Sequence, residues 1–219
     1  MIIYKNQTKG EIKMNKTIYS PHVMLEDANG IHLIDSQSIL LKKRLIFLED
    51  EITSAVVNET IRHMMIMAFE SNEPITLIID SPGGDIKAGF QLIDYMDSCP
   101  VTIKTCVLGL AASMGAVISS AGTKGYRVAS KRSKIMIHQP LIQQGLGGNC
   151  SEIQILANNL EERRKTINAM LCEYTGQSDD VMDEATSYDH YFNATEAKEF
   201  GLIDDVVNDD KLYEFIKGV

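Results

Sequence analysis

Three side chains in this sequence can together turn an alcohol into a nucleophile. Ser113 stands in "GLAASMGAVISSAG" (109–122), a hydroxyl set among alanines and glycines directly before a stretch of helical type. His138 stands in "IMIHQP" and Asp189 in "SYDHYF" (187–192). A serine hydroxyl attacks poorly until a neighbouring base takes its proton, and an imidazole does so at neutral pH when a carboxylate holds its tautomer. The chemistry this set would support is attack on a carbonyl carbon. The first N–H groups of a helix after Ser113 would stabilise the resulting oxyanion, and small neighbours let a substrate approach that backbone. Ser81-Pro82-Gly83-Gly84 is a second loop able to offer such an N–H.

Each piece also has a plainer use: the serine as a helix cap, the histidine as a polar group at a strand end, the Ser-Pro-Gly-Gly run as a turn. With five histidines in the chain, spacing alone does not single out one combination. His190 lies beside Asp189, but adjacent strand residues point to opposite faces, so an Asp189 that faces a site turns His190 away from it. That favours His138 as the partner.

The elements that must position these residues follow from periodicity. "RLIFLED" (44–50), "ITLIID" (75–80) and "VTIKTCVLG" (101–109) are short apolar runs of strand type. Between them, 51–70 carries Val57, Ile61, Met64, Met65 and Ala68 at helical spacing, and 85–98 carries Ile86, Phe90, Ile93 and Met96. Strand, helix, strand, helix in that order predicts parallel pairing with right-handed crossovers. "GYRVAS" and "KIMIHQ" are further strand segments. Ser151 and Gln154 read as a capping box for a long helix through Ile153, Leu156, Leu160, Ile167 and Leu171, ending near Gly176. Its Glu161 to Lys165 run reads as a solvated face. A short helix at 195–200, the strand "LIDDVV" and a last short helix close the chain.

The chain has 219 residues, 44% hydrophobic and 23% charged, which suits one domain of about 190 residues (31–219) preceded by an N-terminal arm (1–30). No apolar run approaches the ~20 residues that cross a bilayer, so no membrane partner is expected. A net charge of −9 with scattered basic residues argues against nucleic acid. Cys99, Cys106, Cys150 and Cys172 form no C-x-x-C pair, and the reading is four free, buried thiols in a reducing compartment, with no metal. The basic N-terminus lacks the apolar core of a signal peptide, so a cytoplasmic location is expected. Met14 is an alternative start, because Lys9-Gly10-Glu11 can be encoded by a purine-rich ribosome-binding sequence.

"SPGGDIKAG", "GLAASMGAVISSAGTKGYR", "IMIHQPL", "TGQS" and "ATEAKEFGLID" resemble, in order, the matching blocks of the proteolytic subunit of the ATP-dependent Clp protease. The likeness runs from about Ile31 to Val207. It implies a crotonase-like α/β fold of repeated ββα units with a projecting strand-helix handle at about 141–176. It implies assembly into seven-membered rings, stacked in pairs as a tetradecamer around a chamber. By position, Ser113 is the nucleophile, His138 the general base and then acid, and Asp189 the orienting carboxylate, with the N–H groups of Gly84 and Met114 as the oxyanion hole. The resemblance also implies an unfolded polypeptide substrate lying extended along strand edges and delivered by a Clp ATPase. ATP is then used by that partner, and this subunit needs no cofactor or metal.

Several residues depart from the family pattern. Ser187 and Tyr188 stand where an acidic residue and an arginine usually lock ring to ring. "IQQGLGGNC" after Leu141 makes the groove and handle region about two residues longer. Thr76, Ile78 and Ser98 occupy places often aromatic in the pocket for the ATPase loops, and Ile39 stands where arginine is common. These changes imply a divergent paralogue, and a regulatory or structural subunit working in mixed rings is the alternative. Acyl-CoA enzymes share the wider fold but do not need this serine, histidine and aspartate.

Overall fold

The structure is a computed structural model that describes residues 22–27, 30–142 and 147–217. Most of the expected arm, with the alternative start at Met14, lies outside the described residues, as do positions 143–146 of the longer segment after Leu141. Strand β1 (His22–Asp27) pairs antiparallel with β2 (Gly30–Asp35), and helix α1 (Ser36–Lys42) follows. One compact unit ends at Ile39 and a second begins at Leu40.

In the second unit the apolar runs form three parallel strands, β3 (Leu45–Glu49), β4 (Ile75–Ser81) and β5 (Ile103–Ala112). Ile75 to Ile79 are all buried, as expected for a strand covered on both faces. The crossovers are α2 (Ser54–Glu70) and α3 (Ile86–Ser98), capped by the side chains of Thr53 and Asp85, which accept from the N–H groups of Val56 and Ala88. The buried stripe of α2 is Val57, Thr60, Met64 and Met67. Met65, expected in the core, is instead 40% exposed. A buried threonine takes the place that an apolar-only count skips.

Next come α4 (Met114–Ser120), β6 (Arg127–Ser130), β7 (Lys134–Ile137), α5 (Cys150–Thr175), α6 (Asp179–Thr186), β8 (His190–Asn193), α7 (Ala194–Phe200), β9 (Asp205–Val207) and α8 (Asp209–Lys217). Strands β3-β4-β5-β6-β9 form one path, with β7 pairing both β5 and β8, seven strands in all. β5 runs three residues beyond the expected Gly109. It pairs with β6 at Thr105 to Val107 and with β7 at Leu110 to Ala112. The change of partner falls at Gly109, whose φ of +114° and approach to Asp80 require a glycine. Ser133 closes the gap, its hydroxyl donating to Val107 O (2.8 Å) and accepting from Gly109 N–H (3.2 Å).

Helix α5 starts earlier than expected: its capping box is Asn149 with Glu152, and Ser151 lies inside the first turn. Its end is at left-handed Gly176. Only Ile167, Asn168 and Leu171 are buried, whereas the expected apolar positions Ile153 and Leu156 are exposed. The helix thus packs through its C-terminal part. All four cysteines are free, but Cys150 is exposed at the start of α5 and only Cys106 is fully buried, where burial pushes its thiol up to about 12. Among the described residues no helix is long and apolar enough to cross a membrane, and no three metal-ligating side chains gather.

Candidate active site

The turn from β5 into α4 is one residue long, and that residue is Ser113. Its φ of 54° and ψ of −123° lie where a side chain is strained, a cost of about 1–3 kcal/mol. Ser113 N–H donates to Met136 O (2.8 Å), which fixes the turn to the end of β7. The hydroxyl makes no capping bond to α4. It lies 2.9 Å from Nε2 of His138 instead. The small neighbours have specific uses here. A Cβ on Gly83 (φ +96°) would come within 2.7 Å of Ser113 Cβ and Ala112 O, and one on Gly115 within 3.2 Å of Ser81 O.

His138 follows β7 directly. Since β5 and β7 are parallel, with Ala112 beside Met136, their ends lie level and the histidine reaches the serine. The antiparallel β7·β8 register runs from Lys134 opposite Asn193 to Ile137 opposite His190, and one further step puts Asp189 opposite His138. The carboxylate Oδ1 is 3.0 Å from His138 Nδ1. One tautomer satisfies both contacts: Nδ1–H donates to Asp189, which leaves Nε2 to accept from Ser113 O–H. The His138 side chain is 14% exposed and that of Asp189 60%. His190 turns to the other face and stacks on Phe192, ring centroids 4.2 Å apart.

The loop after β4 is clamped against Ile52. Ser81 Oγ donates to Asp50 O (2.6 Å) and accepts from Gly83 N–H (3.1 Å), while Ile52 N–H donates to Gly83 O and Asp85 N–H to Ile52 O, both 2.8 Å. Gly84 has a φ of +153° and a Cβ there would strike the Ile52 backbone. The N–H groups of Gly84 and Met114 are not used in the hydrogen bonds among the described residues. The structure therefore brings Ser113, His138 and Asp189 into one chain of contacts and sets the Gly83–Gly84 loop against Ser113 and Met114.

Sequence reasoning missed Ser81 as the brace of that loop, and it missed Gln139. The Gln139 N–H donates to Thr186 O (2.6 Å) and its Nε2 to Ser187 O (2.8 Å). The adjoining "HQP" and "SPGG" runs signalled a site, but no residue type announces a bond to a main-chain carbonyl. At the departures, the Ser187 hydroxyl donates to Glu184 O at the end of α6 and Tyr188 is 84% exposed. Beside them an open cavity of about 620 Å³ is lined by Val181, Glu184, Tyr188, His190, Tyr191 and Phe200 among others. Thr76 and Ile78 are buried and Ser98 is exposed.

A mixed, largely parallel sheet with helical crossovers, a serine on a strained strand-to-helix turn and an imidazole in contact with it define an α/β protein suited to acyl transfer. The family model for Clp protease matches residues 28–210, and the chain belongs to that family. Its fold is accordingly the crotonase-like α/β fold, and the protein is a Clp-type peptidase. The family forms rings that work with ATPase partners.

Proposed function

We propose that this chain is a serine endopeptidase in which Ser113 Oγ attacks the scissile carbonyl as His138 Nε2 takes its proton. His138 then returns the proton to the leaving amine, and Asp189 holds the imidazole tautomer and stabilises the imidazolium. The N–H groups of Gly84 and Met114 receive the oxyanion. Water releases the acyl group from Ser113 by the same steps in reverse. The observation that carries this reading is the Ser113 hydroxyl, held on a strained turn, excused from capping and 2.9 Å from a histidine that itself meets a carboxylate at 3.0 Å.

The substrate is unfolded polypeptide, held by main-chain hydrogen bonds to a strand edge, an arrangement that accepts most side chains. Selection then rests on access: heptameric rings, stacked as a tetradecamer, are fed by a Clp ATPase that spends the ATP, and the subunit itself carries no cofactor. The working location is the cytoplasm. The test is intact mass after treatment with a serine-reactive peptidyl phosphonate, on wild type, Ser113→Ala and His138→Ala. Labelling of wild type alone is the expected result; labelling of Ser113→Ala at the wild-type rate overturns the assignment.

A second reading is favoured by the exposed Asp189 and by Tyr188 in place of a charge at the usual ring-to-ring contact. In it the chain works in mixed rings with another Clp-type subunit. Wild-type protein that labels only after mixing with such a subunit would establish it.

A further inference from the structure

Asp189 is weakly held for a group that must orient an imidazole. The β7·β8 ladder ends one residue short of it, at Ile137 opposite His190. Its side chain is 60% exposed, and its contact with His138 is the one side-chain hydrogen bond it makes among the described residues. An exposed carboxylate with a single partner exchanges rotamers freely, whereas a catalytic constellation needs its members fixed to about half an ångström. Neither burial nor further donors fix this carboxylate, so its orientation has to come from the backbone that carries it.

That backbone is held after Asp189 by the β7·β8 ladder at His190 and before it by Ser187, whose N–H and hydroxyl donate to Glu184 O, and the grip from the His138 side comes from one residue. Gln139, the residue after His138, donates its N–H to Thr186 O (2.6 Å) and its side-chain amide to Ser187 O (2.8 Å). Thr186 is itself anchored and buried, its hydroxyl shared between Met182 O (2.9 Å) and Asn168 Oδ1 (3.2 Å). The main-chain bond is open to any residue except proline. The bond to Ser187 O, two residues before the carboxylate, needs a side chain of this length ending in a donor.

We propose that Gln139 is a positioning residue for the acyl-transfer step: its side-chain amide, by holding Ser187 O, keeps Asp189 in line with His138. This rests on the reading of Ser113, His138 and Asp189 given above. Gln139 is exposed, so its side chain is not there to fill the core. The competing account, a glutamine that merely satisfies a loop carbonyl, makes different predictions for rate and stability.

The full-length chain is treated with the peptidyl phosphonate, and labelling is followed by intact mass over a range of phosphonate concentrations to separate the maximal inactivation rate from the apparent binding constant. Gln139→Met preserves length and removes the donor. The maximal rate is expected to fall about three- to tenfold, the effect of one hydrogen bond, with the binding constant unchanged and the melting temperature lowered by no more than about 5 °C. Because the residue acts through Asp189, Gln139→Met should add nothing further in an Asp189→Asn background, followed over incubations long enough to label that slower variant. Wild-type maximal rate in Gln139→Met, a lowered melting temperature with the rate unchanged, or a full multiplicative loss in the double variant would each overturn the inference. A wild type that labels neither alone nor after mixing with another Clp-type subunit defeats the parent reading and this inference with it. A wild type that labels beside an equally fast Gln139→Met defeats the inference alone.

Discussion

Asp204 and Asp205 are neighbours of one type in opposite surroundings, and replacing each by asparagine separates a buried ion pair from an exposed one. Asp204 meets Arg127 through Nη2 to Oδ1 (2.6 Å) and Nε to Oδ2 (3.0 Å), and Oδ2 also accepts the N–H groups of Gly125 and Arg127. The Arg127 side chain is only 2% exposed and that of Asp204 16%. Nη1 of the same guanidinium donates to Ser120 O and Tyr174 O, so the pair pins the ends of α4 and α5 to β6 and to the turn before β9. An asparagine in place of Asp204 would keep the shape and leave a buried guanidinium without its counter-charge, at a cost of about 3–5 kcal/mol. At about 2–4 °C per kcal/mol for a chain of this size, Asp204→Asn should lower Tm by roughly 6–20 °C. Asp205 also has an ion pair, to Lys198 at 2.6 Å, but the two side chains are 61% and 49% exposed. A pair so exposed contributes at most about 1 kcal/mol, so Asp205→Asn should shift Tm by less than roughly 4 °C.

The assay is scanning calorimetry of the three proteins at one concentration, since assembly makes Tm depend on concentration. Burial alone would raise the Asp204 carboxyl, but hydrogen bonds from the Arg127 side chain and backbone, the Arg127 charge and the Gly125 N–H outweigh it and hold the carboxyl below its ordinary range. A carboxyl depressed in the folded state stabilises fully above its unfolded value, about 4, and that stabilisation fades as pH falls through the folded value. The gap between wild type and Asp204→Asn should therefore be full at neutral pH and close below about pH 4. An Asp204→Asn protein that melts within a few degrees of Asp205→Asn at neutral pH would refute the pin.

Two further predictions concern the backbone around Ser113. Ser113→Gly and Ser113→Ala both lack the hydroxyl, yet the glycine variant should be the more stable by about 1 kcal/mol in urea unfolding, because it relieves the strained φ of 54°. Glycine usually costs about 0.5–1 kcal/mol against alanine, so that usual order at position 113 would mean that the turn is unstrained. Gly83→Ala places a methyl group 2.7 Å from Ser113 Cβ and should slow phosphonate labelling at least tenfold, roughly the effect of a misplaced oxyanion donor. Gly176→Ala is its control, with a similar positive φ but open space around it, and a labelling rate equally reduced there would show that backbone strain alone explains the loss.

How far the sequence could be read depended on whether a role leaves a mark on residue type. The parallel core did: Ile75 to Ile79 is apolar at every position but Thr76, and all five residues are buried, because both faces of β4 are covered. The choice of His138 over His190 rested on strand alternation, and the observed stacking of His190 on Phe192 is that alternation in three dimensions. Element edges were less legible. The capping box of α5 lies at Asn149 and Glu152 rather than Ser151 and Gln154, since both pairs have capping chemistry and only the path of the chain decides between them. Met65 was misplaced because a helical count of apolar residues ignores Thr60, which is buried on the face of α2 that packs on the core.

The contacts that hold the fold and the site together were the least visible part, for a physical reason. Arg44 donates to the carbonyls of Met67, Ser71, Glu73 and Pro74, tying the end of α2 to the start of β4. Gln139 does the same for Thr186 and Ser187, and Ser81 for Asp50. In each case the acceptor is a main-chain oxygen, which every residue possesses, so the partner leaves no trace in the sequence. A nucleophile, a base and a carboxylate are chemically distinct side chains and can be suspected from one line of text. The frame that sets them at 2.9 and 3.0 Å is built largely from carbonyls, and becomes visible only when the register of β7 on β8 and the turn after β5 are known.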